Sequence, residues 1–266
     1  MTVTLDLIDE VEIDPAPPPC PPTQDELPCE DDIPMESERH QLQMELLLEP
    51  LQPWLAQRGE GYAGGNMFLY FSLAQTRGEY FRGPDVFVVL GVPHGERKSW
   101  VVWEEGKAPD VIVELLSEST RRRDKTLKKQ VYQDQLRIPE YYWYDPFNPD
   151  DWAGFRLSGA GYEPLTPDGS GRLFSRQLQL SLLRWSGSYR GISATWLRWA
   201  TPQGELLLTG DERAEQERQR AEQECQRAEQ ERQRAERAEQ SLLAAQQRIA
   251  DLEARLGDYR GNSNRS

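Results

Sequence analysis

The sequence predicts a mixed α/β domain followed by a long C-terminal helix. Between residues 36 and 208 an amphipathic helix precedes several short apolar strands, a basic helix and a further strand, so helices and strands serve one core. Beyond residue 208 the sequence becomes a near-repeat of Arg, Ala, Glu and Gln, a composition typical of a long helix. These two observations predict the fold class.

The elements of the domain follow from hydrophobic periodicity. A helix begins at residue 36, because Leu46, Leu47, Leu51 and Leu55 recur at a spacing that gives it one apolar face. Apolar or alternating runs predict the strands that come after it. The remaining predicted elements are strands at 67–71, 86–90, 100–103 and 111–116, a basic helix at 121–137, a strand at 141–144, and a peripheral hairpin of 154–157 with 162–165.

The net charge of -14 is unevenly distributed. Residues 1–35 contain ten acids, eight prolines and no base, which predicts a disordered arm because so little apolar surface is available to offset ordering. Residues 36–208 contain 22 acids and 20 bases and are nearly neutral, so the low pI says little about the ligand of the domain. The arm either improves solubility or competes with phosphate for a basic surface.

Cysteine and histidine usage excludes several kinds of site. The three cysteines, Cys20, Cys29 and Cys225, and the two histidines, His40 and His94, have no metal-ligand spacing, which argues against a zinc site or a Cys-His nucleophile. No run approaches the roughly 20 apolar residues that a membrane span needs. The acidic, proline-rich N-terminus is unlike a secretory signal. We therefore expect a cytoplasmic protein without a membrane partner.

The predicted C-terminal helix covers residues 209–258 and precedes a disordered tail at 259–266. The residues repeat every seven positions, and two positions in each repeat would form the seam of a coiled coil. The first seam position is alanine at 214, 221, 228 and 235, and then Leu242, Ile249 and Leu256. The second seam position is glutamate at 217, 224 and 231, and apolar only from Ala238 onward. An adequate coiled-coil seam is thus confined to 235–256, which favours weak self-association, with a lone helix as the alternative. Acids match bases along the helix, which argues against a DNA-binding zipper.

Two acidic residues stand at unusual places in the apolar strands. Asp85 heads the strand at 86–90, and Glu114 interrupts the strand at 111–116, where an unpaired carboxylate would cost several kcal/mol or be protonated. Asp110 shares the face of Glu114 but lies ~13 Å away along the strand, which makes Asp85 the better partner. Two converging carboxylates suit Mg²⁺ or another hard divalent cation, and a nearby lysine would stabilise phosphate charge.

Each of these residues also has a structural interpretation. Asp85 follows a proline and is compatible with a simple turn. Glu114 is equally compatible with a structural ion pair to Arg121 or Arg123. The basic run at 121–129 is most often a solvated helix face, and Asp110 is better explained as a cap at the start of its strand.

The order of these motifs resembles the PD-(D/E)XK restriction-endonuclease-like superfamily. More narrowly, residues 83–146 resemble the Uma-two family of restriction-endonuclease-like proteins. The matching pieces are Pro84-Asp85, the run 109–120, Asp124 with Lys128 and Tyr132, and the run 139–146. The resemblance implies a restriction-endonuclease-like core, and a Gln- and Glu-rich C-terminal helix is also seen in many members.

The resemblance implies a role for each matching residue. Asp85 and Glu114 would be catalytic and would bind the metal ion, and Lys128 would be the catalytic lysine. Leu116 occupies the usual place of that lysine, two residues after the acid, so the lysine has moved to the following helix. Lys129 lies about 100° round the helix and points elsewhere.

The predicted function is a Mg²⁺-dependent endonuclease that hydrolyses DNA phosphodiester bonds. In this prediction Arg121, Arg122 and Arg123 contact the DNA backbone. A homodimer through the C-terminal helix would supply the two sites that cutting both strands requires. The alternative is a catalytically inactive binding or scaffold protein that keeps the nuclease fold and self-associates through the same helix.

Overall fold

The structure is a computed structural model that describes residues 20–29, 37–73 and 83–263. It divides into two compact units, Met1–Leu207 and Leu208–Ser266. The first unit is a mixed α/β domain, which confirms the predicted fold class. Within the described residues, no helix combines the length and apolar character needed to cross a membrane.

The domain is built on a six-stranded mixed sheet. With strands numbered in chain order across all three sheets, the main sheet contains β1 (Tyr62–Gly64), β3 (Val86–Val89), β5 (Val111–Leu115), β6 (Glu140–Tyr144), β7 (Trp152–Ser158) and β8 (Gly161–Pro164). They lie in the order β1-β3-β5-β6-β7-β8. β5 and β6 are parallel, and the other neighbours are antiparallel. The start of β3 therefore lies beside the end of β5, at the edge where β6 also ends.

Two smaller sheets and several helices complete the first unit. A parallel pair is formed by β2 (Leu69–Tyr70) and β4 (Trp100–Val101), and an antiparallel sheet by β9 (Leu173–Ser175), β10 (Leu180–Tyr189) and β11 (Ile192–Ala200). The helices are α1 (Glu38–Leu48), α2 (Leu51–Arg58), α3 (Val102–Glu105), α4 (Arg121–Arg123) and α5 (Lys129–Asp134), with a π-helical turn at Asp124–Lys128 between the last two. The predicted hairpin is present as β7 and β8, whereas the sheet of β9 to β11 was not predicted.

The single helix predicted from residue 36 is two helices in the structure. α1 ends at Leu48 and α2 begins at Leu51, after Pro50. Proline has no N–H to donate and its ring clashes with the preceding helical turn, so the helix breaks there. Both halves keep their apolar residues on the sheet, because Leu47 and Leu51 are fully buried.

Two cores lie on opposite faces of the main sheet. Val111, Val113 and Leu115 of β5 belong to the core beneath α1, α2 and the sheet of β9 to β11. Ile112, from the other face of β5, belongs to the core beneath the basic helix, residues 121–134. The alternation of β5 is therefore the one the sequence predicts, and it directs Glu114 toward the basic helix.

The structure describes one segment of the predicted disordered arm, residues 20–29. Residues 1–19 and 30–35 of this arm lie outside the described residues, but residues 20–29 are described and pack against the domain. Trp103 Nε1 donates a hydrogen bond to the Pro22 carbonyl oxygen at 2.8 Å, and Leu27 is buried. This short segment orders because it offers a carbonyl to an indole N–H and an apolar side chain to a small core, which composition averaged over the whole arm conceals.

The second unit contains one long helix, α6 (Gly210–Ser263). It extends past residue 258, where the predicted helix ends, and residues 264–266 of the predicted tail lie outside the described residues. Its large apolar side chains are exposed, with Leu242 60% and Ile249 56% accessible. These are the side chains of the predicted seam.

Candidate active site

Asp85 is held at the edge of the main sheet by a contact between strands. It lies just before β3, and because β3 is antiparallel to β5 its side chain reaches the end of β5. Its Oδ2 accepts a hydrogen bond from the Leu115 N–H at 2.7 Å. The carboxyl group is therefore fixed next to Glu114 in space, although 29 positions separate the two residues in the chain.

Glu114 is fully buried and has two partners from the basic helix. Its Oε1 accepts a hydrogen bond from the Tyr132 hydroxyl at 2.8 Å, and its Oε2 accepts one from Lys128 Nζ at 2.9 Å. The Asp85 carboxyl group is close enough to contribute to the raised pKa of Glu114. The alternative interpretation of the sequence, in which Glu114 pairs with Arg121 or Arg123, is wrong, because Glu114 pairs with Lys128.

Lys128 points into the site, and its neighbour does not. The Lys128 ammonium lies between two acids, 2.9 Å from Glu114 Oε2 and 2.8 Å from Asp124 Oδ1, and its side chain is only 12% exposed. Lys129 instead places its ammonium 3.4 Å from the centre of the Phe155 ring. The two lysines thus diverge as the helical geometry predicts.

Asp124 belongs to the same cluster, although the sequence predicted no role for it. It is 1% exposed, and neither of its carboxylate oxygens has a hydrogen-bond partner among the described residues, although Oδ1 forms an ion pair with Lys128. The signal in the sequence was its position four residues before Lys128, which places both on one side of a helix. Both residues lie in the π-helical turn, a distortion that is frequent at functional sites.

The buried cluster contains more acidic groups than basic groups. Burial raises the pKa of Glu114 to about 8, because Asp85 and Asp124 add to the desolvation that Lys128 only partly offsets. Burial likewise raises the pKa of Asp85. Burial alone would lower the pKa of Lys128, but the surrounding acids raise it above its ordinary value. Three acids share one ammonium, so an additional cation would be stabilised here.

The donor atoms at this edge fit a hard divalent cation. Asp85 and Glu114 supply carboxylate oxygens, the ligands that Mg²⁺ prefers, and Mg²⁺ is usually held by one or two carboxylates with water and substrate oxygens filling the other positions. Throughout the described part of the chain, no group of three or more His, Cys, Asp and Glu side chains is arranged to hold a metal ion. Asp85 and Glu114 are the carboxyl groups at this edge that would hold the ion.

The three predicted nucleic-acid residues differ in their surroundings. Arg121 is paired with Asp145 through its guanidinium and lies 3.7 Å from Asp151. Arg122 and Arg123 are exposed, and neither forms an ion pair with another described residue. Within the described ranges, two of the three guanidinium groups therefore have no ion-pair partner.

Asp110 is remote from the cluster, at the other end of β5. Its Oδ2 accepts a hydrogen bond from the Leu90 N–H at 2.7 Å and lies 2.8 Å from Lys107 Nζ. These contacts tie the end of β3 to the start of β5, which agrees with the predicted capping role.

A mixed sheet covered by helices, with two carboxyl groups and a lysine amine at one edge, is the arrangement expected of restriction-endonuclease-like proteins. The family model described as "Uma2: Putative restriction endonuclease" matches residues 30–186. The chain belongs to this family.

A crystal structure described as a putative nuclease belonging to DUF820 from Anabaena variabilis is similar at 16% identity and a TM-score of 0.40, covering 55% of this chain and 76% of that one. A search of the curated proteins finds no match.

Proposed function

We propose that the protein is a metal-dependent endonuclease that hydrolyses phosphodiester bonds in DNA. The observation that carries the proposal is the convergence of Asp85, Glu114 and the Lys128 ammonium in a buried cluster at one sheet edge. Asp85 and Glu114 would hold Mg²⁺ or another hard divalent cation. Bound there, such a cation would polarise a phosphodiester and lower the pKa of an attacking water.

The side chains of the site hold the reacting groups in place. The Leu115 N–H fixes one oxygen of Asp85, and the Tyr132 hydroxyl fixes Oε1 of Glu114, so both carboxylates keep their orientation. Lys128 stabilises negative charge on the phosphate. Because the site is buried, these interactions act where water screens them poorly.

The DNA backbone contacts the exposed arginines at the start of the basic helix. Arg122 and Arg123 are unpaired within the described structure and present positive charge to phosphate. Arg121 also belongs to this set, although Asp145 already neutralises it. We place the protein in the cytoplasm, where the exposed cysteines, Cys20, Cys29 and Cys225, stay reduced.

The test is a plasmid-nicking assay with Mg²⁺. We expect nicking by the wild-type protein, and about a 10²–10³-fold loss in Lys128→Ala, because the variant lacks the charge that stabilises the phosphate. Lys129→Ala is the matched control, since this neighbouring lysine points to the Phe155 ring instead of the site. Circular dichroism verifies folding of both variants. Equal nicking by the wild type and Lys128→Ala would remove the proposed role of the lysine.

A catalytically inactive binding protein is the second candidate. It is favoured by the ion pairs of Lys128, because an ammonium bonded to both Glu114 and Asp124 also makes a stable structural cluster without metal. Calorimetry with Mg²⁺ separates the two functions. Binding that disappears in Asp85→Ala supports the nuclease, whereas a wild-type protein that binds no Mg²⁺ supports the inactive protein.

We also propose that α6 forms a homodimer through the seam at 235–256. Leu242, Ile249 and Leu252 are exposed on one side of this helix and repeat at coiled-coil spacing. A second copy of the helix would bury them.

Sedimentation tests this interface. Ile249→Lys is expected to convert a micromolar dimer to monomer, because it places a charge in the seam. Gln247→Lys, which adds the same charge on the outer side of the helix, is expected to leave the dimer intact. A wild-type monomer at micromolar concentration, unchanged by deleting residues 209–266, would contradict the proposal.

A further inference from the structure

We infer that Asp124 is a positioning residue that retains the Lys128 ammonium when a divalent cation binds to Glu114. This inference rests on the proposed function, because it concerns how the same site accepts its metal ion. In it Asp124 binds the lysine and does not bind the metal.

The Lys128 ammonium lies between two acids. Its Nζ is shared between Glu114 Oε2 at 2.9 Å and Asp124 Oδ1 at 2.8 Å, so each acid holds it equally closely. Both acids are almost completely buried, with Glu114 0% and Asp124 1% exposed. The lysine therefore has two alternative anchors inside the protein.

A divalent cation bound at this site would repel the Lys128 ammonium. A divalent cation on Asp85 and Glu114 would compete with the ammonium for the Oε2 atom, and the two positive charges would repel each other. Lys128 would then have to leave Glu114. A buried ammonium without a partner is strongly unfavourable, so metal binding would be opposed if no second acid were present.

The contacts of the two acids suit Glu114 to metal binding and Asp124 to retention of the lysine. Tyr132 holds Oε1 of Glu114, so this carboxylate keeps its orientation while Oε2 changes partner. Asp124 keeps its ion pair with the ammonium through Oδ1. Neither oxygen of Asp124 has a hydrogen-bond partner among the described residues, so both are available to the same ammonium. Lys128 thus remains beside the site, where it can meet the phosphate.

A double-mutant cycle in metal binding tests the inference. The affinity for Mn²⁺ alone, a hard divalent probe, is measured by calorimetry in the wild type, Asp124→Asn, Lys128→Gln and the double variant. In the presence of Lys128 we expect Asp124→Asn to weaken Mn²⁺ binding about 10- to 100-fold, as loss of an outer partner does. In the Lys128→Gln background the same change should weaken binding at least about tenfold less.

The outcomes separate the possible roles of Asp124. Equal losses in both backgrounds would make it a direct metal ligand and overturn the inference, as would an unchanged affinity in Asp124→Asn. Asp151→Asn is the control, because Asp151 forms the neighbouring acid–lysine pair with Lys125, and it should bind Mn²⁺ as the wild type does. Circular dichroism verifies that each variant is folded.

The same measurements separate this inference from the proposed function. Failure of the wild type to bind Mn²⁺ would contradict both. Mn²⁺ binding that is lost in Asp85→Ala but is insensitive to Asp124→Asn would leave the metal site standing and remove only the role of Asp124.

Discussion

Glu114→Gln is expected to lower DNA cleavage about 10²–10³-fold, because a metal ion contributes several kcal/mol to the transition state and each 1.36 kcal/mol is a factor of ten in rate. The fold should persist. Burial disfavours the charged form of Glu114 and raises its pKa, so the neutral amide is an acceptable replacement without metal, and Lys128 stays paired with Asp124. We expect the free energy of unfolding without metal to change by less than about 1 kcal/mol.

Nicking assays and urea denaturation, carried out on the same preparation, measure both quantities. Glu118→Gln is the control, since it makes the same chemical change at an exposed position four residues further along. A stable Glu114→Gln variant that nicks DNA at the wild-type rate would exclude Glu114 as a metal ligand.

The largest effect on stability is expected from Glu140→Ala. Glu140 is fully buried at the start of β6, and its oxygens accept hydrogen bonds from four groups. The donors are Arg156 Nε at 3.2 Å, the Arg176 N–H at 2.8 Å, the Tyr142 hydroxyl at 3.1 Å and Ser175 Oγ at 2.5 Å. Removing the carboxylate leaves buried donors and the Arg156 charge without their partner, which costs about 3–5 kcal/mol.

This loss would lower the melting temperature by roughly 6–20 °C for a domain of this size, as measured by calorimetry or circular dichroism. Glu60→Ala, at an exposed position, should have no measurable effect. Glu140→Gln retains one acceptor oxygen and should lie between the wild type and Glu140→Ala. A Glu140→Ala protein as stable as the wild type would show that its donors find other partners.

The sequence indicated the candidate site because the site violates a local pattern. A carboxylate within an apolar strand stands out, and strand alternation correctly assigned Glu114 and Ile112 to one face. Helical geometry likewise separated Lys128 from Lys129. Neither argument reveals which cation an acid binds, so Arg121, Arg123 and Lys128 were all compatible with Glu114 until the strands were assembled.

Other parts of the fold could not be predicted from the sequence for a similar reason. Composition averaged over the N-terminal arm predicts disorder, yet residues 20–29 pack on Trp103 through contacts that no local pattern encodes. The sheet of β9 to β11 has a mixture of buried and exposed residues that periodicity alone did not resolve. Whether these residues form a sheet depends on the core that they cover, since Leu182 and Leu197 are buried against the main sheet.

By itself the sequence determined the α/β class, the order of the main elements, the long C-terminal helix and the acids that interrupt apolar strands. These follow from periodicity and composition, which act over neighbouring residues. Only the tertiary structure decided that Asp124 joins the cluster, that Arg121 pairs with Asp145, and that Glu140 binds donors from β7 and β9. The energy of a buried charge depends on every group that reaches it, and those groups come from segments that are distant along the chain.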